Sequence, residues 1–357
     1  MPVVNETDRL DWVDAAKGLC IIMVVMMHAT LGVEKSLGTA NWLHNVVDWA
    51  EPFRMPDFFL ISGLFLAARI GRPWRSYFDG KILHFVYFYL VWTHIHFLLR
   101  APVLIKTAGL EAAAWQYARS YVDPAGPIWF IYLLAVYFLV TKLLHAVPKA
   151  LVLGAAVALH VLAPRTGLFV VDEFASRFVF FFAGYAYAPM VFDFARRVCS
   201  ATIGVVAATL GAWAIVNTLA VSSGASHLPG LDLVFSALGI AAVVGCSVLV
   251  SMPARQGAWR GYLGAALLYC GRNSIVIYLS FTIFMALSRV AMLKLWPGAG
   301  GVTISLISAA AGLGGALGLH AFVSNTKLAF LFERPAWARL PARSAPRQSS
   351  ALMPKAA

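Results

Sequence analysis

Asp14, Lys17 and His28 lie in one apolar stretch of this chain, and Cys20 to Met27 between them carries no charge. At about 100° per residue the three fall within roughly 60° of one another, so a helix presents them on a single face. Ionisable groups are costly in lipid, and a shared face lets them point into a protein or water-filled cavity. An imidazole placed there is a candidate general base for a hydroxyl group. A carboxylate beside it would hold its tautomer and raise its basicity. Asp14 is one such carboxylate. Asp57, in Glu51-Pro52-Phe53-Arg54-Met55-Pro56-Asp57, is the other, because this run enters the membrane near the depth of His28. His28, Asp14 and Asp57 are therefore the catalytic candidates. The plainer reading makes His28 a packed helix histidine bonded to a carbonyl.

Cations supply the second set of candidates. Lys17 lies eleven residues before His28, about 16 Å along a helix axis. Arg69-Ile70-Gly71-Arg72-Pro73-Trp74-Arg75 leads to Lys81 and His84. Positive-inside topology alone accounts for most of these charges. Guanidinium and ammonium groups also grip phosphates, and Lys81 and His84 are favoured because they are three apart at the start of a helix. Arg54 reaches the level of His28. Trp129 sits at interface depth, where aromatic belts form. Arg177 lies just inside a span, where it pairs with an acidic neighbour or lines an outward cavity. Arg272 marks a helix start or part of a donor site. His94 and His96, two apart, form no joint ligand pair. The four cysteines contain no CxxC, so no metal site is expected.

These residues need a membrane scaffold to position them. Of 357 residues 61% are hydrophobic and 12% charged, which excludes an ordinary soluble domain. The net charge of +12 is spread over short loops with no aromatic-interleaved basic patch, so a nucleic-acid partner is not expected. The N-terminal apolar run lacks a cleavage site and reads as a retained first span. Apolar runs predict about ten transmembrane helices, at 12–31, 53–71, 82–99, 128–145, 149–163, 174–191, 200–220, 230–252, 272–294 and 301–323. The second is expected to begin irregularly at Pro52 and Pro56. The basic excess favours both termini in the cytoplasm. The expected fold is thus an all-α polytopic helix bundle over residues 1–334. A basic, disordered cytoplasmic tail is expected over residues 335–357.

Five stretches give the chain a resemblance to the acyltransferase-3 family of integral membrane acyltransferases. They are Arg9-Leu10-Asp11-Trp12-Val13-Asp14-Ala15-Ala16-Lys17-Gly18 leading to His28; Phe53-Arg54-Met55-Pro56-Asp57-Phe58-Phe59-Leu60-Ile61-Ser62-Gly63; Pro127-Ile128-Trp129-Phe130; Phe182-Ala183-Gly184-Tyr185; and Gly271-Arg272-Asn273-Ser274 through Tyr278-Leu279. The first two are the more specific. The resemblance implies a ten-span enzyme of a bacterial-type inner membrane. It would move an acyl group, acetyl or succinyl first, from cytoplasmic acyl-CoA to a hydroxyl of a glycan or lipid, with no permanently bound cofactor.

The family's essential histidine maps onto His28 and its early arginine onto Arg9. Its basic pair maps onto Lys81 and His84, where arginines are more usual. Many members carry a histidine where this chain has Ser280 and Phe281. On this reading Arg9, Lys17 and Lys81 receive the donor phosphates, while Arg54 or Tyr278 stabilises the oxyanion. A proton-coupled transporter or flippase of a glycan, lipid or small acid, using the same charged cavity, is the alternative.

Overall fold

The computed structural model describes residues 10–124, 126–252 and 259–341, with residues 259 and 260 described by their backbone. Arg9, Arg255 and the tail beyond residue 341 lie outside the described residues. Every element among the described residues is helical. In chain order the helices are α1 (Asp11–Leu37), α2 (Leu43–Leu64), α3 (Trp74–Tyr77), a π-helical segment (Phe78–Leu83), α4 (His84–Ala108), α5 (Leu110–Arg119), α6 (Trp129–Leu143) and α7 (Lys149–Leu162). Then follow α8 (Phe169–Ala186), α9 (Ala188–Ser200), α10 (Ile203–Ser222), α11 (Leu231–Ser251), α12 (Trp259–Arg272), α13 (Ser274–Leu295) and α14 (Gly301–Val323).

Six of these are long and apolar enough to cross a membrane: α1, the continuous run Trp74–Ala108, α10, α11, α13 and α14. A seventh is reached if α8 and α9, bent by 74° at Tyr187, count as one span. The other three expected spans fall on α6 and α7, which are shorter apolar helices, and on α2, which carries Asp48, Glu51, Arg54 and Asp57. The loop expected over 100–127 instead continues α4 and then forms α5. The stretch before Arg272, read as a loop, contains α12.

α2 corrects the expected irregular start, because it runs unbroken through Pro52 and Pro56. A proline has no N–H, so Pro56 leaves the carbonyl of Pro52 without its helical donor. Ser236 on α11 supplies one, its hydroxyl donating to that carbonyl at 2.5 Å. Tertiary packing thus repairs the break that the sequence signals.

The core joins α1, α2, α6, α8 and α13 around Ile21, Phe59, Tyr137, Phe181 and Phe281, all fully buried. Lipid tails are as apolar as leucine, so helices in a membrane associate through close packing, and small residues permit it. Two glycine pairs do this here. A Cβ at Gly63 of α2 would overlap the Phe181 carbonyl, and one at Gly184 of α8 would overlap that of Leu60. A Cβ at Gly18 of α1 would overlap the Leu267 carbonyl, and one at Gly271 of α12 that of Asp14. Four of the five sequence stretches that carry the resemblance therefore meet in two pairs, backbone against backbone.

Gly63→Leu or Gly184→Leu is expected to lower stability by more than the ~1–3 kcal/mol usual for overpacking, because main chain must move. Gly211→Ala, where the space is open, is expected to leave it unchanged or higher. Thermal unfolding of the detergent-solubilised protein checks both.

Candidate functional site

The inner end of α1 is a charge cluster. Asp14 is buried and receives Lys17 at 3.5 Å and the Arg272 Nε at 3.4 Å, while Arg272 Nη2 reaches Asp11 at 3.3 Å. Asp14 therefore compensates cations at the start of α1. His28 is fourteen residues away, about 21 Å along the helix, so Asp14 does not orient it.

From Lys17 a largely apolar cavity of about 130 Å³ runs between α1, α2, α6 and α13. Its lining includes Phe58, Ser62, Phe85, Phe130, Ser274 and Tyr278. The Tyr278 hydroxyl accepts the Phe130 N–H at 3.2 Å. That N–H is among the orphan donors of the first turn of α6, so the tyrosine caps a helix and keeps its own proton to donate.

Around the inner mouth the charges of Lys17, Arg69 and Arg72 act on Lys81, whose ammonium lies 4.8 Å from the Phe138 ring centre. His84 does not join them. Its ring packs edge-on against Phe85 and Phe88 and lies within the field of Arg334. Three residues share a face on an α-helix, but Lys81 sits inside the π-helical segment and His84 begins α4. The wider turn separates the two directions.

Sequence reasoning missed Lys142. It is buried, donates to the carbonyls of Ile70 and, at 3.0 Å, Arg72, and lies over the rings of Trp74 and Tyr77. This one cation staples the basic loop to α6. The signal available was a lysine in the last turn of an otherwise apolar span.

The outer half holds His28. Its ring rests on Phe281 at 5.4 Å with a 46° tilt. Arg54, buried with its Nη1 donating to the Val47 carbonyl at 3.0 Å, is near enough for its charge to act on His28. Arg289, also missed, covers Gly32 one turn further out. Asp57 is fully buried but faces Cys20, whose thiol donates to its Oδ2 at 2.6 Å. Neither aspartate forms the expected pair with His28: Asp14 lies about 21 Å away along the helix, and Asp57 bonds Cys20 through Oδ2 while its buried Oδ1 has no hydrogen-bond partner among the described residues.

Ser280 spends its hydroxyl on the Val276 carbonyl of its own helix. Arg177 pairs with Glu173, and its guanidinium lies 5.4 Å from the Trp129 ring centre. His96 bonds the Leu279 carbonyl at 3.0 Å, and His94 bonds Leu90 and Tyr121. The structure thus puts Lys17 and Tyr278 along one cavity, Lys81 over the Phe138 ring outside its lining, and His28 eleven residues beyond Lys17 on α1. Arg177 and Trp129 form a separate pair, and Arg9 lies outside the described residues.

Comparison with known proteins gives two matches. The sequence model of the acyltransferase-3 family, described as "Acyltransferase domain", matches residues 10–321. The chain is 25% identical over 154 residues to "Inner membrane protein YcfT" of Escherichia coli (strain K12), covering 37% of this chain and 43% of that protein. The chain thus spans less than half the length of the curated relative it matches. No solved structure matches.

Lys142→Met removes the donor to two loop carbonyls. Amide hydrogen exchange over residues 69–75 is expected to accelerate at least tenfold, following the ~1–3 kcal/mol cost of unpaired buried polar groups. Exchange in α13 should be unchanged.

Proposed function

The chain belongs to the acyltransferase-3 family, and on that premise we propose that it transfers an acyl group from cytoplasmic acyl-CoA to a hydroxyl of a glycan or lipid. Acetyl and succinyl are the first donors to test. The observation that carries this reading is the cavity lined by Lys17 of α1 and Tyr278 of α13, the two helices that also bring His28 against Phe281. It is basic at its mouth and apolar inside, which suits phosphates followed by an uncharged pantetheine arm.

In this proposal α1, α2, the run Trp74–Ala108, α6, α7, α8, α10, α11, α13 and α14 are ten crossings with both termini cytoplasmic. The bias of basic residues toward the inner loops supports that arrangement. The described inner membrane relative supports a bacterial inner membrane as the location.

Lys17, Arg69, Arg72 and Lys81 grip the donor phosphates. The thioester rises past Phe58 and Phe130 toward the outer half. The His28 imidazole takes the proton of the acceptor hydroxyl as its oxygen attacks the thioester carbonyl. The oxyanion of the tetrahedral intermediate is held by Arg54 or by the free proton of Tyr278. Collapse breaks the carbon–sulfur bond, and the imidazolium returns its proton to the departing thiolate. Phe281 positions the imidazole by packing, and no carboxylate takes part. Ser280, bonded within its own helix, handles no proton.

The test uses inverted membrane vesicles supplied with radiolabelled acetyl-CoA or succinyl-CoA, with label followed into lipid and glycan fractions. Transfer by the wild type, reduced ~10²–10⁴-fold in His28→Ala at equal protein level, is the expected outcome. Undiminished transfer by His28→Ala removes the central claim. Absence of transfer together with accumulation of unmodified acceptor inside favours transport instead.

A further inference from the structure

The segment that follows α14 lies beyond the family match, which ends at residue 321, yet it is tied to the part of the fold that carries Lys81. After α14 the chain forms 3₁₀ turns at Lys327–Leu331 and Ala336–Ala338. Trp92 donates its indole N–H to the Leu331 carbonyl at 2.9 Å, and Tyr87 its hydroxyl to the Phe330 carbonyl at 2.9 Å. Trp337 packs edge-on against Tyr87. These contacts lay residues 327–340 along α4. The described start of the tail, to residue 341, is therefore docked on the bundle.

The docked segment ends on Asp79. Arg334, itself buried, donates Nη2 to the Asp79 carboxylate at 2.6 Å and Nη1 to the Asp79 main-chain carbonyl at 2.7 Å. The Leu340 N–H bonds the second carboxylate oxygen at 2.8 Å. Arg339 in turn donates twice to the Arg334 carbonyl, at 3.2 and 3.0 Å. One aspartate thus takes three bonds from a segment about 255 residues away in sequence.

Asp79 is the second residue of the π-helical segment Phe78–Leu83. π turns are rare, are less favourable than α turns, and gather at functional sites. An arginine that clamps both the carboxylate and the main-chain carbonyl of one π residue holds that register in place. Lys81 lies two residues further on. If the segment relaxed to an α-helix, one residue of register would be lost. Side chains before the slip would turn by about 100° relative to α4, carrying Lys81 away from Lys17, Arg69 and Arg72.

We propose that Arg334 and Asp79 form a clasp that locks the π-helical register and so aims Lys81 at the donor phosphates. Both are positioning residues; neither touches the donor. The inference rests on the acyl-CoA reading above and adds to it a specificity device that the segment beyond the family match supplies.

The experiment uses the full-length protein in nanodiscs, comparing wild type, Asp79→Asn, Asp79→Glu, Arg334→Gln, the double variant Asp79→Asn/Arg334→Gln, and Arg119→Gln. The last breaks the distant exposed pair with Asp123 and serves as control. CoA binding is measured by calorimetry, and KM and kcat for the labelled donor by transfer. Asp79→Asn and Arg334→Gln are expected to weaken CoA binding and raise donor KM about tenfold, with kcat within twofold. The double variant should be no worse than either single one, and Asp79→Glu should recover most of the loss. Variants that stay folded and bind CoA like the wild type overturn the clasp, as does a fall in kcat with KM unchanged. A pantetheine donor lacking the nucleotide phosphates should show no difference between wild type and Asp79→Asn; an equal loss there would mark a general structural role and overturn the aiming of Lys81. If wild type neither binds CoA nor transfers label, the acyl-CoA reading itself falls and the clasp's donor role with it.

Discussion

The absence of side chains at four glycines is the constraint on which the rest of the structure depends. Gly63 with Gly184 and Gly18 with Gly271 let main chain approach main chain where any Cβ would overlap a carbonyl. The first pair seats α2 on α8, and the second seats α1 on α12. Everything polar in the bundle is then placed by registration from these contacts. Cys20 meets Asp57, Asp14 meets Arg272, and the first turn of α6 finds the Tyr278 hydroxyl. In lipid no hydrophobic force separates right pairings from wrong ones, so tight steric fit carries that burden.

Several polar groups inside the bundle are spent on a specific defect of the backbone. Ser236 serves the carbonyl orphaned by Pro56, Lys142 the carbonyls of a loop, and Arg334 a π-turn carbonyl. Most buried polar groups in proteins are partnered, and these three pairings tie loops and helices to one another. His28 is placed differently. Its ring packs on Phe281, and no hydrogen bond or ion pair to it occurs among the described residues.

The sequence made the helical class, the charged face of α1 and the resemblance legible, because each rests on composition or on the period of a single helix. The shared face of Asp14, Lys17 and His28 is real as a direction, yet it spans too great a length for one site. Pairings across helices were not legible. Asp57 looked like a partner for His28 by depth, but a register set by glycines put it against Cys20. Lys81 and His84 looked like one face because the α period was assumed, and a π turn changes the period. α12 was hidden because its apolar run is short, and the continuity of α2 because the hydroxyl that mends it lies on another helix.

The pair between Asp14 and Arg272 joins residues 258 positions apart. At about 5–20 residues per second of synthesis, roughly 13–50 s separate the appearance of the two. During that interval the first helix must sit in the membrane with a carboxylate and no Arg272 to meet it. Lys17, three residues along on the same helix, is made at almost the same moment and reaches Asp14 at 3.5 Å. Lys17 is thus the cation that α1 itself brings to Asp14 before Arg272 is made. In the finished fold Asp14 holds both cations, Lys17 at 3.5 Å and Arg272 at 3.4 Å. The order of synthesis thus decides which of its two cations Asp14 meets first.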